Sequence, residues 1–142
     1  MRMSSVVTAE IMLKTQEGVE IHDLTAEINA KLDESGIRQG IVTVFVPGST
    51  GAITTIEYEP GLLQDIPDAL ERLFPREIEY GHEMMWHDGN GHSHVRAAFL
   101  GPDLTVPFKE GRMMLGTWQQ VVFIELDNKP RKRRIILQIL GE

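Results

Sequence analysis

The chain has 142 residues, 42% of them apolar and 25% charged, and its 21 acidic and 14 basic side chains leave a net charge of −7. That size suits one domain with a proper core, spanning 1–142, and the acidic balance argues against a general binder of nucleic acid or anionic membranes. Cysteine is absent, which excludes disulfides, a thiol nucleophile and thiolate metal sites, so any metal must sit on nitrogen and oxygen ligands.

In chain order the pattern is mostly β. Residues 5–15 are β-prone, and Gln16-Glu17-Gly18 predicts a hairpin turn back into Val19-Glu20-Ile21-His22. Asp23 can cap a helix with Leu24, Ile28 and Leu32 on one face and Gly36 as its stop. Residues 40–46 form a nearly continuous apolar strand, suited to the centre of a sheet. Pro47-Gly48-Ser49-Thr50-Gly51 breaks it, and 52–58 resumes as a strand. Leu62, Leu63, Ile66, Leu70 and Leu73 mark a second helix, with its start left open by Pro67. Asn90 as a cap, the stripe Val95, Ala98 and Phe99, and the stop Gly101-Pro102 predict a third. A hairpin follows, made of 104–108, the turn Lys109-Glu110-Gly111 and a long strand over 113–127. The turn 127–130 then leads into a strand over 134–140. Adjoining hairpins with single helices indicate an α+β fold, a β-rich and mainly antiparallel sandwich with two or three helices. No apolar run approaches the roughly 20 residues that span a bilayer. The start, Met1-Arg2-Met3-Ser4-Ser5-Val6, has no apolar signal region, so a cytoplasmic protein is expected.

Four of the five histidines fall within 82–94, beside Asp88, Glu83, Asn90 and Ser93. One reading is a divalent metal site, with His82 and His94 as ligands and His92 or Asp88 completing it. Another is an anion site at the N-terminus of the helix after Asn90. The plain alternative is a loop with solvated imidazoles. Residues 47–51 form a glycine-rich break that can cradle an anion through Ser49 and Thr50, or serve simply as a turn. Glu57 and Glu59 share a strand face, as a general acid or base or as solvated carboxylates. Gly116 suggests a bulge in the long strand, Trp118 a ring platform or core residue, and Gln119 a directional polar contact. The basic run Arg131-Lys132-Arg133-Arg134 reads as a solvated edge or a subunit contact.

These motifs, in order, resemble those of the YjbQ-like family, UPF0047, also called the secondary thiamine-phosphate synthase family. Val46-Pro-Gly-Ser-Thr-Gly-Ala-Ile53 is similar to its Val-Pro-His-Thr-Thr-Ala-Ala segment, with Glu57 at the glutamate that follows. Tyr80-Gly-His82 is similar to Tyr-x-His, and Asp88-Gly-Asn90-Gly-His-Ser-His94 to Asp-Asn-Ala-x-Ala-His. Val106-Pro107, Gly111 and Leu115-Gly-Thr-Trp-Gln119 match its closing block, and Arg131 with Arg134 falls near its Pro-Arg-x-Arg. The likeness runs from Val42 onward. Gly48 stands where many relatives carry histidine, and His92 is the imidazole available to replace it.

The resemblance implies a homotrimer with a site between the His82, His94 and Glu57 positions. It also implies a thiamine-phosphate synthase reaction, joining a pyrimidine diphosphate to a thiazole phosphate. Such a site needs a divalent ion, zinc or magnesium, or a positive dipole against pyrophosphate. In this reading Glu57 and His94 are catalytic, and Ser49, Thr50, Asn90, Trp118 and Gln119 bind the phosphorylated small molecule. His82, His92 and His94 hold the metal. The rival readings are a non-catalytic trimeric protein that binds a metal or small anion, and a metal-dependent hydrolase of a phosphorylated small molecule.

Overall fold

The structure is a computed structural model that describes residues 3–142. Met1 and Arg2, part of the stretch read for a signal region, lie outside the described residues. The elements are β1 (Ser5–Thr15), β2 (Glu20–Asp23), α1 (Thr25–Ser35), β3 (Gln39–Phe45), β4 (Gly51–Ile56), α2 (Pro60–Leu73), α3 (Gly81–Trp86), α4 (Gly91–Leu100), β5 (Asp103–Lys109), β6 (Arg112–Met113), β7 (Gln120–Glu125) and β8 (Arg131–Gly141). The strands form a five-stranded sheet, β1-β8-β3-β5-β6, and a three-stranded sheet, β2-β7-β4. Every pairing is antiparallel. This is the expected α+β sandwich, with a fourth helix, α3, that the pattern did not foretell.

Period-two alternation makes the five-stranded sheet two-faced. Val42 and Val44 of β3, with Ile135, Leu137 and Ile139 of β8, point into the core, where they meet Val121 and Phe123 of the smaller sheet. Leu24 and the α1 stripe Ile28 and Leu32 fill the same core. Fully burying one such side chain stabilises the fold by roughly 1.5–3 kcal/mol. The helix starts where Asp23 Oδ1 accepts the Thr25 N–H at 3.0 Å and stops at Gly36, whose φ of +74° is left-handed.

The smaller sheet is buried on both faces. Its other side sets Ala52, Val122 and Ile124 against Leu70 of α2 and Ala97 of α4. This explains why 121–124 is apolar without alternation.

Strand pairing departs from the hairpin reading. The 16–18 turn does not close a hairpin, because β1 joins β8 in one sheet while β2 joins β7 in the other. Val7, Ala9 and Leu13 pack on the inter-sheet core, whereas Val19 and Ile21 pack on the helix-facing core. The 127–130 turn likewise passes between sheets, and β8 begins at Arg131. The long strand read over 113–127 is broken by a loop over 114–119, so Gly116 lies in that loop rather than in a strand bulge. Of the expected hairpins, that between β5 and β6 forms. In α2 the start is set by Pro60 and by Glu59, whose carboxylate accepts from the Gly61 and Leu62 N–H groups at 2.7 and 2.5 Å. Glu59 is therefore a helix cap, and Pro67 sits within the helix.

One end of the inter-sheet core holds charge. Glu125 of β7 is fully buried and faces Arg133 of β8, which is 7% exposed. Arg133 Nε donates to Glu125 Oε2 at 2.7 Å, and Nη2 donates to Oε1. Thr15 Oγ1 also donates to Oε2, at 2.7 Å. Deleting one partner strands the other in a medium that cannot solvate it. Glu125→Ala is expected to cost about 3–5 kcal/mol in urea unfolding, and Glu125→Leu/Arg133→Leu much less. A single-variant loss below about 1 kcal/mol would show that the pair is not sealed from water.

Candidate functional site

The site begins with the loop that follows β3. Gly48 has a φ of +111°, which L side chains rarely adopt, so a side chain there would carry backbone strain. Thr50 is buried and acts as a junction. Its Oγ1 donates to Asp127 Oδ2 at 2.9 Å and accepts from Arg133 Nη2 at 2.9 Å, while its carbonyl accepts the Leu126 N–H at 3.0 Å. Ser49 stays exposed and, with Gly48, Gly51 and His94, lines a cleft of about 320 Å³.

The far wall comes from α3 and α4. Glu83 Oε1 accepts the Gly91 N–H at 2.7 Å at the start of α4. A protein carboxylate thus occupies the place where the sequence suggested an external anion. Asn90 is the cap residue by position, but its side chain makes no cap hydrogen bond. Instead, its Nδ2 donates to Asp127 Oδ1 at 3.3 Å, and its buried Oδ1 has no partner among the described residues. Burial pushes the Asp127 carboxyl up, but the donors Asn128 N–H, Arg131, Thr50 and Asn90 outweigh it and hold it below the ordinary carboxylate value.

His82 and His94 meet, with ring centroids 4.3 Å apart and planes tilted by 42°. His82 Nε2 lies 3.0 Å from Asp88 Oδ1 but off the axis of a hydrogen bond, so this buried nitrogen has no hydrogen-bond partner among the described residues. One ligand atom each from His82, Glu83 and Asp88 can lie within 4.8 Å of the others. Burial, and next the His82 imidazole, depress the His94 pKa, which favours the neutral form that binds metals. This donor set of imidazole nitrogens and carboxylate oxygens fits a divalent ion.

His92 does not join them. Residues two apart on a helix point about 200° apart. Its buried ring lies 6.5 Å from Tyr80, and the charges around it are Arg96, Arg76, Glu71 and Glu83. It therefore does not replace the imidazole expected at position 48. Glu57 is exposed just past the other end of β4, about 20 Å along the strand from Gly51. Trp118 is 71% exposed in the 114–119 loop, and Gln119 ties that loop down by accepting from Gly116 N–H and donating to Thr55 Oγ1 at 3.3 Å. Gln119 lines a second cleft, of about 400 Å³, with Thr55, Asp103, Thr105 and Met114. Within one chain the anticipated site residues divide. His82, His94 and Ser49 gather at one end of β4, with Thr50 and Asn90 buried in the network there. Glu57, Trp118 and Gln119 stand at the other end.

The sequence alone gives Glu125 no role and Asp127 only a turn, and it sets Arg131 with Arg134, not Arg133, near the family's Pro-Arg-x-Arg. Arg134 is exposed and pairs with Glu10 at 3.2 Å, whereas Arg131 reaches Asp127 at 2.7 Å and Arg133 reaches Glu125. The available signal was alternation: two acids two apart in an apolar run, then two arginines two apart after the turn.

A family profile described as UPF0047 protein YjbQ-like matches residues 9–142. A UPF0047 protein from Methanothermobacter thermautotrophicus is 45% identical over 137 residues, or 96% of this chain and 94% of the relative. One from Archaeoglobus fulgidus is 39% identical, over 92% of this chain and 99% of its own length. The crystal structure of a YbjQ-like protein of unknown function from Sulfolobus solfataricus superimposes with a TM-score of 0.93 at 34% identity, covering 99% of this chain and all, 100%, of that one.

A pH prediction follows from His92. Burial, then the Arg96 and Arg76 charges, hold its pKa below the ordinary imidazole value of about 6.5. The folded state thus resists a proton that the unfolded state accepts. Stability is full above about pH 6.5 and falls as pH drops toward the lowered value. Melting curves between pH 7.5 and 5 should show this fall, and His92→Gln should flatten it. An equal slope in both proteins would remove His92 as the cause.

Proposed function

Because this chain belongs to the YjbQ-like UPF0047 family, we propose that it is a metal-assisted enzyme acting on a phosphorylated small molecule. His82 and His94 are the imidazole ligands, and Asp88 or Glu83 completes the set. The observation that carries this reading is the buried Nε2 of His82, without a hydrogen bond among the described residues, beside a second imidazole and the Asp88 carboxylate. A donor set with imidazole nitrogen favours zinc over magnesium. When bound, the ion supplies positive charge against phosphate oxygens.

The family resemblance supplies the reaction to test, synthesis of thiamine phosphate. The thiazole ring nitrogen attacks the methylene carbon of the pyrimidine diphosphate, the C–O bond to the diphosphate breaks, and pyrophosphate leaves with the electron pair. This chain's residues bind and orient. Glu83 keeps one oxygen on Gly91 N–H and so steadies the turn between α3 and α4. Ser49 presents a hydroxyl at the cleft.

Glu57, Trp118 and Gln119 would reach the His94 cleft only from a neighbouring copy, which gives the homotrimer a functional reason. The outer face of the five-stranded sheet supports self-association. Its cross-strand row Val6, Leu140 and Ile41 is apolar and exposed, with Phe45 exposed four residues along the same face from Ile41.

Purified protein is expected to hold about one zinc ion per chain, and His82→Ala/His94→Ala to lose it. Unchanged metal in the double variant would sink the ligand assignment. Turnover to thiamine phosphate should fall about 100-fold in His94→Ala with little change in melting temperature.

The shared site has its own test. Sedimentation should give the mass of a trimer, and trimers reassembled from mixed His94→Ala and Glu57→Gln chains should recover part of the activity that each variant lacks alone. A monomer, or mixed trimers as inactive as their parents, would separate Glu57 from the site.

A further inference from the structure

Two carboxylates, Glu83 and Asp88, lie within reach of the His82 imidazole. They are not equivalent. Glu83 Oε1 already accepts the Gly91 N–H at 2.7 Å, so this carboxylate is engaged at the start of α4. The Asp88 carboxylate is nearly half exposed, and its contact is with His82 Nε2 at 3.0 Å. Asp88 sits between two left-handed residues, His87 with a φ of +54° and Gly89 with a φ of +70°. They turn the chain back after α3 and return Asp88 to the side of His82. Left-handed backbone is uncommon outside glycine and persists where surrounding contacts hold it. Within the segment, His87 N–H donates to the Glu83 carbonyl at 3.0 Å. From outside α3 and α4, a single hydrogen bond reaches residues 87–89 among the described residues. Asn128 Nδ2 donates to the Asp88 carbonyl at 2.9 Å, across 40 positions of chain.

Asn128 is a firm anchor. Its N–H donates to Asp127 Oδ1 at 2.7 Å, and Asp127 is buried and also holds Thr50, Asn90 and Arg131. The Asn128 side chain thus carries the rigidity of the turn between β7 and β8 to a loop that has few contacts of its own. A carboxylate held in place before an ion arrives loses less freedom on binding than one free in water. Groups that orient a metal ligand in this way contribute to affinity without touching the metal. An amide N–H does so without adding charge to the site. We propose that Asp88, rather than Glu83, is the carboxylate ligand of the metal site, and that Asn128 is its positioning residue, acting on the metal only through the Asp88 carbonyl. This deepens the metal reading and rests on it.

The test is a titration of the full chain, freed of metal by EDTA, with zinc in competition with a chromophoric chelator. Cobalt(II) replaces zinc where a visible spectrum is read. Asn128→Ala removes the amide donor and should weaken zinc binding about 10- to 100-fold. Its cobalt spectrum should shift toward that of Asp88→Ala. Asn128→Asp keeps the shape of the side chain but turns an acceptor toward the Asp88 carbonyl, and should weaken binding as well. In an Asp88→Ala background, Asn128→Ala should cost nothing more, because no ligand is left to position. Unchanged affinity in Asn128→Ala, or the same loss with and without Asp88, overturns this inference and leaves the metal reading standing. So does zinc held at parent affinity by Asp88→Ala and lost by Glu83→Gln. Affinity in Asn128→Asp at or above that of the parent protein overturns it too, since added charge near the ion would then outweigh the lost donor. A parent protein that takes up no zinc overturns the metal reading, and this inference with it. Should Asn128→Ala fail to fold, Asn128→Asp decides.

Discussion

The buried pair of Glu125 and Arg133 ties the two sheets together, and the candidate site hangs from it. Charges this far from water are tolerated only when nearly every donor and acceptor finds a fixed partner. The partners here are drawn from several parts of the chain. Thr15 ends β1, Thr50 ends the glycine-rich loop, and Asp127 with Arg131 flanks the turn before β8. Asp127 in turn holds Asn90, the residue before α4, and α4 carries His94 in its first turns. The network balances its own charge, with Glu125 and Asp127 set against Arg131 and Arg133. Its effect on the site is mechanical: it fixes the loop and the helix that form the two walls of the cleft.

The sequence reveals which residues face the core better than which strands pair. Alternation in β3 and β8, and four-residue spacing in α1, follow directly from where apolar side chains must go. Nothing in alternation says which of two sheets a strand will join. A short turn such as 16–18 looks the same whether it closes a hairpin or carries the chain across a sandwich. The distinction lies in contacts with β8 and β7, more than a hundred residues away in sequence. The smaller sheet was legible only in part, because burial on both faces erases the alternation that identifies a strand.

The site was legible where chemistry is concentrated and obscure where it is dispersed. Histidine density pointed to His82 and His94, which do meet. Density alone does not separate His92 from His94, but the helix expected after Asn90 points them apart, and its phase sends one ring to the Tyr80 side and the other to the cleft. A similar one-residue error exchanged Arg134 for Arg133, and in a strand that exchanges the solvent face for the core. Glu83 was legible as an acid but not as the group that occupies the N-terminus of α4. Glu57 and His94 looked like partners in an ordered list of motifs, but list order carries no information on the length of β4 that lies between them.

The place of β8 also bears on how the molecule is made. This strand lies between β1 and β3 and pairs with both, bringing Thr8 against Gln138 across 130 positions of chain. Without residues 131–141 the large sheet is two separate pieces, β1 alone and β3 with β5 and β6. On a ribosome the apolar side of β1 therefore emerges long before its partner and stays uncovered until residues 131–141 have been made. Closing so long a loop is entropically costly and slow, and little local pairing compensates for it early. Assembly of the large sheet is thus a late, cooperative event, and exposure to aggregation is greatest during translation rather than in the finished protein.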